Sequence, residues 1–110
     1  MRLRKFPITA PSGRQYEVTI ERNYVCLGAY GLEFRVYRHE IRKQLFGRTR
    51  LACILVREES YWETDVEDVI PIVQKLIRDV EAQITRKEAR EASYVAFTAW
   101  DGKITEEVST

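Results

Sequence analysis

Hydrophobic and polar positions alternate along two segments of the chain. Tyr16, Val18 and Ile20 are interleaved with Gln15, Glu17, Thr19 and Glu21. A period of two with one polar face predicts a half-buried strand. The segment from Leu32 to His39 repeats the pattern, with Leu32, Phe34 and Val36 turned inward and Glu33, Arg35, Tyr37 and His39 outward. Ahead of the first strand, Phe6-Pro7-Ile8-Thr9 runs into Pro11-Ser12-Gly13-Arg14, which has turn composition and predicts a hairpin. Pro7 has no N–H for a ladder, which assigns its strand to a sheet edge. Cys26 to Gly31 reads as a turn. Its two glycines are in GxxG spacing with no Lys-Ser/Thr pair behind them, so neither a Walker loop nor a dinucleotide fingerprint is present. Leu51 to Val56 is a continuous apolar run, the pattern of a strand covered on both faces near the sheet centre. Glu40 to Arg50 fits either an extended hairpin arm turning near Gly47 or a single helical turn.

The period then changes. Val66, Val69, Ile70, Val73, Leu76, Ile77, Val80 and Ile84 recur at spacings of three and four, a broad apolar stripe that predicts one long amphipathic helix over about residues 66–90. Thr64 with Glu67 forms a capping-box pattern, but a helix from Thr64 would enclose Pro71 at a cost of about 3 kcal/mol. An Asp68 cap instead places Pro71 in the first turn, where it is tolerated. The favoured start is a short turn from Thr64 and the main helix from Asp68. The stripe fades after Ile84. Tyr94 to Trp100 is strand-like, Asp101-Gly102 is a two-residue hairpin turn, and Lys103 to Val108 can return. The expected fold is therefore α+β. An antiparallel sheet of about five to six strands, in chain order β-β-β-β-α-β-β, packs on the long helix.

Composition adds limits. A length of 110 residues with 45% hydrophobic and 32% charged residues suits one domain, 1–110. At this mass a folded monomer exposes roughly 6,300 Å². No run approaches the roughly 20 apolar residues of a membrane helix, and the basic start has no apolar stretch behind it, so the expectation is a cytoplasmic protein without membrane contact. Cys26 and Cys53 read as reduced thiols, with Cys53 in the core. One histidine and two widely spaced cysteines suggest no zinc set, and no metal or other cofactor is expected. The zincin pattern fails because Lys43 stands four residues after His39. A Cys-His nucleophile needs the fold to bring His39 beside a cysteine, and the alternation places His39 outside and Cys53 inside. No catalytic residue is assigned.

The net charge of +1 hides an asymmetry: residues 1–50 carry 11 Lys/Arg and 4 Asp/Glu, residues 51–110 carry 7 and 13. The basic share concentrates in Arg35, Arg38, Arg42, Lys43, Arg48 and Arg50, opposed within that stretch only by Glu40, with Tyr37 and Phe46 interleaved. These residues are the candidate nucleic-acid face, combining phosphate attraction with base stacking. Glu17 and Glu21 on the neighbouring strand can instead neutralise the arginines. Six carboxylates, Glu58, Glu59, Glu63, Asp65, Glu67 and Asp68, flank the helix start and fit helix capping better than metal binding. Tyr61 and Trp62 among them either fold back on the core or anchor a protein partner. The leading functional expectation is a small intracellular, non-catalytic binding or regulatory protein, acting through a homodimer or another protein. Nucleic-acid binding and an enzyme of unknown reaction are the alternatives.

Overall fold

The computed structural model describes residues 1–43 and 47–104, without the side chain of Arg42. Four strands and one long helix follow one another: β1 (Arg2–Thr9), β2 (Gln15–Cys26), β3 (Ala29–Lys43), β4 (Thr49–Trp62) and α1 (Val69–Ala99), with a 3₁₀ turn at Glu63–Asp65 before the helix. The sheet is antiparallel in the order β1-β2-β3-β4. Two units are distinguished, Met1–Val80 and Glu81–Thr110.

The first unit holds the sheet. Gly13, at φ 89°, closes the β1–β2 turn, where the Ala10 N–H donates to the Arg14 carbonyl and the Gly13 N–H to the Ala10 carbonyl. Leu27 and Gly28, both at positive φ, close the tight β2–β3 turn. The alternation reads out as expected: Tyr16, Val18, Ile20, Leu32, Phe34 and Val36 are buried, and Leu76, Ile77 and Val80 of α1 complete the core. Pro7 lies on an edge strand, as its missing donor requires. β3 runs on to Lys43, so the first part of the ambiguous 40–50 segment is hairpin arm; residues 44–46 lie outside the described residues. Asp68 caps α1, accepting from the Ile70 N–H at 3.0 Å, and Pro71 falls in the first turn.

Three expectations are corrected. The described sheet has four strands, and the order is β-β-β-β-α. Tyr94 to Ala99, read as a strand, continues the helix, which begins at Val69 and ends at Ala99 rather than spanning about 66–90. Aromatic and β-branched residues lose only tenths of a kcal/mol in a helix, while each residue added to an existing helix gains one backbone bond. Thr98 joins in by donating its hydroxyl to the Tyr94 carbonyl at 3.0 Å. Asp101 and Gly102 stop the helix: the Lys103 N–H donates to Asp101 Oδ1 at 2.9 Å, and Gly102 sits at φ 76°. The rest of the expected return strand, residues 105–108, lies outside the described residues.

The third correction concerns β4. Its apolar run is an edge, with Leu51 and Leu55 exposed and Ile54 and Val56 half-buried. Cys53 is exposed, and Cys26 with it. The pairing of β3 with β4 also slips between Val36 and Tyr37, where Val36 opposes Arg57 but Tyr37 opposes Leu55. That irregularity shifts the phase of β4 and places Cys53 opposite His39.

Candidate functional site

Three surfaces carry chemistry. The first is the basic segment. Arg35 lies on the outward sheet face among carboxylates, 3.5 Å from Glu21, 3.0 Å from Glu33 and 3.7 Å from Glu58. Arg38 pairs with Glu40. Both guanidiniums are thus partly neutralised within the fold, Arg35 by acids on its own and both neighbouring strands and Arg38 by Glu40 two residues along β3. Lys43, Arg48 and Arg50 are exposed at the far end of the β3–β4 hairpin, and Arg42 opposes Arg50 in the register. Tyr37 is half-buried opposite Leu55.

The acidic cluster is spread over ion pairs and caps. Glu63 takes Arg22 through both oxygens, at 2.5 and 3.2 Å, Glu59 lies 3.8 Å from Arg57, and Asp68 caps the helix. Tyr61 folds back, its ring edge-on to buried Phe34 at 5.6 Å. Burial first, and then Glu59, raise its phenol above the usual tyrosine value. Trp62 remains half exposed beside a shallow cleft lined by Val25, Gly31 and Asp65.

The second surface was not legible in the sequence. Glu17 of β2, His39 of β3 and Cys53 of β4 converge on the outward face of the sheet, with one ligand atom of each within 4.8 Å of the others. His39 Nε2 lies 3.8 Å from Glu17 Oε1 and 3.9 Å from Cys53 Sγ, and the thiol lies 3.8 Å from Glu17 Oε2. Glu17 is buried, 7% exposed. The Arg4 Nε–H donates to its Oε1 at 2.6 Å. Phe6 stacks on the His39 ring at 4.3 Å and fixes its plane. Burial, then the Glu17 carboxylate, raise the Cys53 thiol above its usual value, while Arg4 opposes them.

This arrangement does not fit a nucleophilic triad. There the base gives one ring nitrogen to the nucleophile and the other to an orienting acid. Here Cys53 Sγ and Glu17 Oε1 both face Nε2, while Nδ1 is buried with no hydrogen-bond partner among the described residues. A thiol raised in this way is also a poor nucleophile. The expectation that His39 and Cys53 lie on opposite sides is corrected by the β4 irregularity. Glu17 and His39 were visible as outward residues of neighbouring strands; the phase of β4 was not.

The third surface is apolar. A cleft of about 440 Å³ opens between β1, β2 and the first turns of α1, lined chiefly by Leu3, Ile8, Val18, Ile20, Ile70 and Val73. In the second unit, Tyr94, Val95, Phe97 and Trp100 each expose half or more of their surface, Phe97 as much as 72%. Among the described residues, no helix is long and apolar enough to cross a membrane. No protein-family model matches the chain, and no curated protein or solved structure matches it.

Proposed function

We propose that the chain is a small non-catalytic binding protein that acts through protein–protein contact, and that its first partner is a second copy of itself. The observation that carries this reading is the exposed apolar end of α1, Tyr94 to Trp100, on a chain that also holds an open apolar cleft. The cleft volume falls within the roughly 300–1,000 Å³ that accommodates a bulky apolar group, enough for one or two aromatic side chains. Reciprocal exchange, with each copy giving its helix end and receiving the other's, makes a closed two-fold interface.

Light scattering at micromolar concentration should report about twice the 13.0 kDa chain mass. Phe97→Asp and Trp100→Asp together should reduce it to the chain mass, and so should Ile70→Glu in the cleft. Mixing the two variants should rebuild part of the dimer, since one intact helix end then meets one intact cleft. A wild-type chain that stays monomeric ends this reading.

Nucleic-acid binding is the second reading. It rests on the hairpin end, where Lys43, Arg48 and Arg50 are exposed and Arg42 is the register partner of Arg50. Arg35, Tyr37 and Arg38 would contribute less, given the carboxylates around both arginines. A labelled single strand titrated at low salt, where phosphate attraction is strongest, should be bound by the wild type and not by Arg48→Glu with Arg50→Glu. No binding at low salt removes it.

A further inference from the structure

We propose that Glu17, His39 and Cys53 form a binding site for a zinc-like divalent transition metal, with three protein ligands and an open fourth position. Convergence on one nitrogen carries the argument. A metal site needs the thiolate sulfur, the imidazole nitrogen and a carboxylate oxygen to face one point, and here one ligand atom of each residue lies within 4.8 Å of the others, with a Glu17 oxygen near Nε2 and the other near Sγ. Ligand atoms around one tetrahedral ion, at ordinary Zn–S, Zn–N and Zn–O lengths, stand about 3.3–3.7 Å apart. His39 Nε2 stands 3.8 Å from Glu17 Oε1 and 3.9 Å from Cys53 Sγ, and Sγ stands 3.8 Å from the other carboxylate oxygen, Oε2; these are a few tenths wider, and a side-chain rotation that turns one Glu17 oxygen to both partners closes the site.

The donor set selects the metal class. Thiolate and imidazole favour zinc, cobalt and their neighbours over magnesium or calcium, which take oxygen. Charge also balances. The ion's two positive charges meet the Glu17 carboxylate and the Cys53 thiolate, and the thiol proton leaves to solvent as the Cys53–metal bond forms. Arg4 holds Glu17 Oε1 and leaves Oε2 turned to the thiol, so it serves as the outer partner that orients a ligating carboxylate. Phe6 does the same for the imidazole plane. His39 Nδ1 has no such partner among the described residues, and a site without one binds about 10–100-fold more weakly than a fully supported site. Cys53 lies on the exposed edge strand, so the fourth position is open to water or to a ligand from outside.

The test is a cobalt(II) titration of the reduced, full-length chain. The expected result is a thiolate-to-cobalt charge-transfer band with the intense visible bands of a tetrahedral centre, saturating near about one ion per chain. Cys53→Ser should abolish the charge-transfer band, and His39→Gln should abolish it or shift it to much higher cobalt. Cys26→Ser, with its sulfur at the β2–β3 turn, should leave it intact. Zinc should raise the thermal unfolding midpoint of the wild type, as any ligand of the native state does. A measurement on the wild type alone covers the case in which the variants do not fold: zinc should protect Cys53 from alkylation, read by mass mapping, while Cys26 reacts as before. The proposal is overturned if cobalt gives no thiolate band and zinc no rise in midpoint. Equal alkylation of both cysteines with and without zinc also overturns it, as does a band that survives Cys53→Ser.

Discussion

The two stretches of α1 on either side of Val80 have the same backbone and different reasons for it. Up to Val80 the helix is held by what it buries: Leu76, Ile77 and Val80 are in the core, Asp68 caps the first turn, and Asp79 reaches to 3.8 Å from Arg57. Beyond Ile84 every described residue is exposed. Strong helix formers, Ala82, Gln83 and the run Arg86 to Ala92, carry the chain there with local bonds alone. An isolated helix of that length is marginal in water; this one is already nucleated when it leaves the core. A continuous helix is therefore no sign of uniform stability, and substitutions along it should separate the two regimes.

The largest separation is expected at Leu76. It is fully buried, so Leu76→Ala should cost about 2–5 kcal/mol of unfolding free energy through lost burial and the cavity left behind. Denaturant unfolding measures this. The matching change beyond the core, Val95→Ala, made in the Phe97→Asp, Trp100→Asp background where the helix end has no partner, should move the same quantity by less than about 0.5 kcal/mol. Equal losses at the two positions would erase the distinction.

The cap comes next. Asp68→Ala removes the acceptor of the Ile70 N–H and should cost about 0.5–2 kcal/mol, again in global unfolding, because the first turn is tied to the core. Ala89→Gly disturbs the exposed stretch by about 1 kcal/mol of helix propensity. Its effect should be local. Amide exchange over about residues 85–99 should quicken by about fivefold, while core amides keep their rates.

This contrast also accounts for what was legible in the sequence. Elements whose pattern is enforced by burial could be read: the alternation of β2 and β3, the stripe from Val69 to Val80, the Asp68 cap and the Pro7 edge all follow from packing or from the loss of a single donor. Tyr94 to Trp100 could not. With no core to impose a period, its aromatic and branched composition signalled a strand while helix propagation decided the outcome. Leu51 to Val56 misled for a related reason. An apolar run reports a preference for burial without saying what will cover it, and here no strand among the described residues pairs beyond β4. The Glu17–His39–Cys53 cluster required the register as well. Its three residues come from three strands, and a pairing shift that no residue pattern announces turns Cys53 to the outward face.

The smallest expected effect tests whether Tyr61 belongs to the buried regime, as its edge-on contact with Phe34 indicates. Burial and Glu59 hold its phenol above the ordinary tyrosine value near 10.0. Above that value the unfolded chain gives up a proton that the folded chain retains, so the unfolded state binds fewer protons and stability falls as pH rises. Below it both states are protonated and the group contributes no slope. Tyr61→Phe removes the titration while keeping the ring. Unfolding midpoints for wild type and variant should therefore differ by one fixed amount at about pH 7 and about pH 9 and draw together, in the variant's favour, at about pH 11. The other tyrosines titrate in both proteins and cancel in the comparison. A constant difference across that range would mean that Tyr61 ionises as freely in the folded chain as in the unfolded one, and its ring would then belong with the exposed aromatics at the end of α1 rather than with the core.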